Sequence, residues 1–185
     1  MKKEVQNILN IALRYSVVVL IGVLGVGTFY ILFLPLTIYP VYFLLKLFFD
    51  TSLASNIIMV GDSPIEIIGA CIAGSAYYLL LILNFSTRGI KMKQRLLMLL
   101  FSFSSFLVIN ILRIFLLSIT FVSGFSLFDL APKFFWYVGS TVFVVGIWFF
   151  GVKIFRAEEI PFYSDILFLL KSGKKIKKPK SSKKH

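Results

Sequence analysis

"LLMLLFSFSSFLVINILRIFLLSITFV" (residues 96–122) contains one charged residue, Arg113. As a helix, the run would rise about 40 Å at 1.5 Å per residue, more than the roughly 30 Å of a bilayer's hydrocarbon core. A run of this length and apolarity reads as membrane-spanning, and the remaining chain is read outward from it.

The composition agrees with this. The chain has 185 residues, of which 58% are hydrophobic and only 15% charged. Soluble domains are about 45–50% apolar and carry about 25% charge. The expected fold class is therefore an all-α polytopic membrane protein with about four to five transmembrane helices. Residues 16–34 ("SVVVLIGVLGVGTFYILFL") predict a first span, with the N-terminal lead-in retained rather than cleaved as a signal peptide. Pro35 and Pro40 follow, and residues 36–49 make a segment too short to cross alone. That segment is either interfacial or part of a broken first span. Apolar helices are expected at about 67–85 and 134–152. Just before the first of these, "NIIMVGDSPIEII" (56–68) predicts two short extended runs around a Gly-Asp-Ser-Pro turn, in a small loop region before the Cys71 helix.

Charge orients the spans. Loop 86–95 carries Arg88, Lys91, Lys93 and Arg95 with no acid, and the tail "KSGKKIKKPKSSKKH" holds eight lysines. Both are expected on the cytoplasmic side, the tail touching anionic lipid. Lys2, Lys3 and Arg14 place the N-terminus there too, while loops 50–66 and 123–133 are expected outside. The net charge of +12 is thus explained by the membrane, without nucleic acid. Residues 1–152 are expected to form one membrane-embedded domain with a core at about 50–152. Residues 153–185 form a basic tail with a candidate interfacial helix at 160–170.

Arg113 stands about 26 Å along its helix from Leu96, near the outer boundary. Asn110 is one turn earlier on the same face. Cys71, the single cysteine, enters from the outer side by only about 6 Å. Lys133 stands at the outer mouth of the last helix. All of these are expected at one level. A thiol beside a cation favours the thiolate, the attacking species in acyl transfer. An arginine can also hold the oxyanion of a tetrahedral intermediate. Each residue also has a purely structural reading: Cys71 as packing, Arg113 as a snorkelling side chain, Lys133 as an interfacial anchor. The small residues of "GACIAGS" (69–75) equally suit close helix contact.

In order, the chain shows an outer-side Cys at a helix head ("IEIIGACIAGSAYYLLLILNFST"), a basic inner loop, Asn-x-x-Arg ("NILRIFLL"), and a further helix after an outer loop. This order resembles the exosortase/archaeosortase family of membrane-embedded cysteine transpeptidases over about residues 50–150, and its archaeal branch most. The resemblance implies recognition of surface proteins by a C-terminal sorting signal made of a motif, a transmembrane helix and a basic cluster. It further implies cleavage and transfer to a cell-surface acceptor, in the archaeal branch a lipid. Cys71 would be the nucleophile and Arg113 the catalytic arginine, with no cofactor and no metal. The family also keeps a His or Arg at the head of the next helix. Here His185 lies in the tail, and Lys133 is the sole basic residue in that region. Either Lys133 takes the third place or the site is incomplete. The alternative function is a non-catalytic membrane scaffold in which Arg113 pairs with an acid such as Glu66 or Asp129.

Overall fold

A computed structural model describes residues 2–25, 27–87, 90–124 and 140–155. In chain order these form α1 (Lys2–Leu24), α2 (Gly27–Lys46), β1 (Thr51–Ala54), β2 (Ile57–Val60) and β3 (Ser63–Glu66). There follow α3 (Gly69–Ile72), α4 (Gly74–Ser86), α5 (Met92–Val122) and α6 (Ser140–Ile154). The described chain is mostly helical. Among the described residues, three stretches are long and apolar enough to cross a membrane: Gly27–Lys46, Gly69–Ser86 and Met92–Val122. Shorter apolar helices run over Ile8–Val23 and Thr141–Ile154.

The expected unbroken span over 16–34 is cut in two. Gly25 has φ 82°, a left-handed conformation that glycine reaches at little cost, and α1 ends there. Conversely, α2 continues through Pro35 and Pro40 and takes in most of the segment 36–49, the helical continuation that was one of its two readings. A proline removes one helical hydrogen bond. In apolar surroundings, ending the helix there would strand several more backbone groups, so the helix persists. The chain breaks at the glycine rather than at the prolines.

The all-α expectation is corrected by residues 51–66, which form an antiparallel sheet in the order β1-β2-β3. β2 and β3 are the two extended runs anticipated around Gly-Asp-Ser-Pro, with Gly61 at φ 56° in the turn. β1 ("TSLA") was not anticipated, because its small polar residues carry little alternation. Register places Leu53 and Ile65 on either side of Ile58. Ile58 and Val60 are buried, and Leu53 and Ile65 pack on the same core. A sheet of three four-residue strands needs such support from helices to persist.

α4 packs against α1, α2, α5 and α6. Its fully buried Tyr77 organises the centre. The Tyr77 ring stacks on Phe33 at 3.8 Å between centroids and meets Phe106 edge-on at 5.0 Å and Phe103 edge-on at 5.4 Å. Such aromatic pairs contribute about 0.5–1.5 kcal/mol each beyond their area. α1 runs antiparallel to α4: Tyr78 donates from its hydroxyl to the Val18 carbonyl at 3.2 Å, and Arg14 reaches the carbonyls of Phe85 and Thr87. Between α4 and α5, Asn84 donates to the Ser102 hydroxyl at 3.3 Å.

The helix expected at 67–85 is also broken. α3 is a single turn, Ala73 adopts φ 55° and ψ 47°, and α4 begins at Gly74. α5 starts at Met92, four residues before the expected Leu96, because Gln94 accepts from the Lys91 amide at 3.2 Å and fixes the first turn. The candidate interfacial helix at 160–170, most of the basic tail and Lys133 lie outside the described residues.

Candidate functional site

The site is built on the break at Ala73. In an uninterrupted helix the Cys71 carbonyl would accept from a backbone amide one turn on. The left-handed residue at 73 redirects the chain, and the Cys71 carbonyl instead accepts from side chains of α5. Asn110 donates to it through Nδ2 at 2.8 Å, and Arg113 through Nη2 at 3.4 Å. The Cys71 amide donates to the Ile68 carbonyl at 2.8 Å, and the Ala73 amide to the Ala70 carbonyl at 3.3 Å. Both bonds tighten the single turn of α3.

α3 packs against both α2 and α5. A Cβ on Gly69 would come within 3.6 Å of the Tyr30 ring of α2. α3 is thus held between α2 on one side and the Asn110–Arg113 face of α5 on the other. Asn110 and Arg113 are one turn apart, so one helix face carries both donors.

Cys71 is half-buried and packs against the hydrophobic core. Asn110 is 1% exposed, so its amide points into the protein rather than to solvent. Among the described residues, Asn110 Oδ1 and Arg113 Nε are buried with no hydrogen-bond partner. The Arg113 guanidinium lies beside Cys71. Its direct hydrogen bond, however, goes to the main-chain carbonyl of that residue. On its other side Arg113 lines a groove of about 250 Å³ between α5 and α6, walled by Ile109, Leu112, Leu116 and Phe143. Chemically, the cluster combines a thiol, a fixed cation and a buried amide with an unmet acceptor, beside an apolar groove.

The structure therefore brings together Cys71, Asn110 and Arg113. The third expected basic residue, Lys133, lies outside the described residues. Glu66, one of two acids considered as an ion partner for Arg113, accepts instead from Asn56 Nδ2 at 3.2 Å, and the other, Asp129, lies outside the described residues. Among the described residues Arg113 has no acidic partner.

A second polar cluster, at the opposite end of α4, was missed by sequence reasoning. Arg95 is 5% exposed. It donates to the carbonyls of Asn84, Phe85 (2.9 Å) and Thr87 (2.7 Å). Arg14 shares two of those acceptors, at 3.3 Å on Phe85 and 3.2 Å on Thr87. Trp148 of α6 donates to the Thr87 hydroxyl at 3.4 Å. The last carbonyls of a helix lack intrahelical donors and carry partial negative charge, so cations gather there. The sequence signal for Arg95 was its place just after a helix end. Arg14 is more than seventy residues away, and nothing local points to it.

Comparison of the chain with models of protein families, with curated proteins and with solved structures gave no match.

Proposed function

We propose that this chain is a multi-pass membrane cysteine transpeptidase of the exosortase/archaeosortase kind. It would cleave C-terminal sorting signals of surface proteins and transfer them to a cell-surface acceptor, a lipid. One observation carries this reading: the two ends of the Asn-x-x-Arg motif converge on the residue that bears the only thiol. Spacing in the sequence aligned them by depth alone, whereas the hydrogen bonds join them.

The membrane setting has its own support. Besides the three stretches long enough to cross, outward-facing Val23, Ile31, Leu96, Leu100, Phe149 and Phe150 are all exposed, an apolar exterior that suits lipid. With loop 86–95 and both termini cytoplasmic, the sheet and Cys71 face the extracytoplasmic side. α1 and α2 together then make the first, broken crossing.

The chemistry runs in two halves. The Cys71 thiolate adds to a peptide carbonyl, and Arg113 holds the oxyanion that forms. Collapse breaks the C–N bond, releases the amine with a proton, and leaves a thioester on Cys71. An acceptor hydroxyl or amine then adds to the thioester, loses its proton and expels the thiolate. Lys133 is the candidate proton carrier at the leaving amine. Asn110 holds the Cys71 backbone and fixes where the thiol points.

The contact of Arg113 with a carbonyl rather than the thiol favours a second reading. In it, Asn110 and Arg113 close a break in a helix of a non-catalytic scaffold. The two are separated by co-expressing the chain with a protein bearing a tripartite C-terminal signal. Loss of a mobility shift in Cys71→Ala supports the transpeptidase; an unchanged shift removes Cys71 from the role.

A further inference from the structure

The sheet beside the site presents an edge of defined hydrogen-bonding phase. In antiparallel pairs, residues alternate between those bonded to their partner and those whose main-chain groups point away. Two bonds set the phase here: the Gly61 amide donates to the Asp50 carbonyl at 3.1 Å, and the Ile67 amide to the Asn56 carbonyl at 2.8 Å. Counting in steps of two along the registers, Ile65 and Ser63 face β2, while Pro64 and Glu66 turn their main-chain groups outward. On the opposite edge, Thr51 and Leu53 point outward in the same way.

The two edges differ. Pro64 has no N–H, so the outer edge of β3 offers one complete donor–acceptor pair, at Glu66, with the Pro64 carbonyl as an added acceptor. Among the described residues, no backbone bond from outside the sheet reaches the Glu66 amide. Glu66 is exposed. From it the chain passes through Ile67 and an extended Ile68 (φ −87°, ψ 168°) into the turn that bears Cys71. Cys71 is five positions after Glu66, so the two are at most about 17 Å apart, a distance that a short extended peptide covers.

We propose that the outer edge of β3 is a docking strand for an extended peptide segment, which pairs with Glu66 and runs on toward Cys71. An extended chain is the partner whose hydrogen-bond groups repeat with the period this edge presents. The lone complete pair fixes register, because the next position in phase, two residues away, is Pro64, which lacks a donor. Docking of this kind presupposes that Cys71 attacks a peptide carbonyl, as proposed above.

The test uses the full chain in detergent and two thiol probes. One is Ac-Val-Thr-Val-Thr vinyl sulfone, an extended peptide that adds to a thiol; the other is ethyl vinyl sulfone, which has no peptide. Adduct formation at Cys71 is followed by intact mass. Docking predicts that the peptide probe reacts at least about tenfold faster, and that N-methylation slows it at alternate amides only. Glu66→Pro removes the outward donor and should abolish the advantage. Glu66→Ala keeps the amide and should retain it, as should Thr51→Pro on the opposite edge. The ethyl probe should react equally with all three variants, which reports an intact site. Equal rates for the two probes, or N-methyl effects without alternation, would overturn the docking strand while leaving Cys71 reactive. A Cys71 inert to both probes would overturn the nucleophile reading itself, and docking with it. A dimer that dissociates in Glu66→Pro would assign the edge to a second copy of the chain and overturn the peptide assignment.

Discussion

Asn110 Nδ2 lies 2.8 Å from the Cys71 carbonyl oxygen, and this bond joins the middle of the longest helix to a single helical turn thirty-nine residues earlier in the chain. Asn110 is almost wholly buried and Cys71 half-buried, so water replaces a lost bond there poorly. Asn110→Ala should therefore destabilise the protein by about 1–3 kcal/mol, the range for stranding a buried acceptor. Thermal unfolding of the purified variant in detergent checks this. If the bond also orients the thiol, the variant's Cys71 alkylation rate will change even at temperatures where it is fully folded.

Ala73 holds a left-handed conformation that costs an ordinary residue about 1–2 kcal/mol. Ala73→Gly relieves this cost, offset by about 0.4–1 kcal/mol from the freer unfolded chain. The expected outcome is a midpoint equal to or slightly above that of the parent. Ala73→Val places a β-branched residue at φ 55° and should lower the midpoint clearly. Side-by-side unfolding curves of the two variants decide whether the break is built in.

Arg14 and Arg95 share the Phe85 and Thr87 carbonyls, so their contributions are coupled. Arg95→Ala loses three carbonyl contacts and should cost at least about 2 kcal/mol. Arg14→Ala should cost less, since Arg95 still satisfies the shared acceptors. A double-mutant cycle on unfolding free energy should return a coupling above about 0.5 kcal/mol. Strict additivity would mean that the two arginines act independently.

Arg113→Lys separates the two functional readings. Lysine keeps the charge but not the planar fork. If Arg113 holds an oxyanion, processing of a tripartite-signal substrate should fall about 100-fold or more while the fold survives. If Arg113 only closes the α3–α4 break, the substitution is tolerated. Processing rates against unfolding midpoints make the distinction.

Much of this arrangement was legible in the residues because helix periodicity and rise act locally. The run 96–122 announced α5, and the Asn110–Arg113 spacing put two donors on one face. Gly-Asp-Ser-Pro marked the β2–β3 turn, since glycine and proline report backbone conformation directly. Three features were not legible. β1 has little side-chain alternation and exists because β2 supplies its hydrogen bonds. The break at Ala73 falls on a residue with no local preference for φ 55°, and it is sustained by Asn110 and Arg113 from another helix. The chain divides at Gly25 rather than at Pro35 or Pro40 because proline's lost bond costs less than a second pair of helix ends.

The central claim is that Cys71 forms a thioester with a cleaved peptide. Hydroxylamine tests it, because its nitrogen attacks a thioester carbonyl, releases the thiol and leaves a hydroxamate on the acyl group. The chain in membranes is incubated with a tripartite-signal substrate and hydroxylamine, and the released fragment is weighed by mass spectrometry. The account predicts a hydroxamate at one new C-terminus with the parent chain and none with Cys71→Ala. The same hydroxamate from a folded Cys71→Ala protein, or cleavage in the parent that never yields it, would contradict the account.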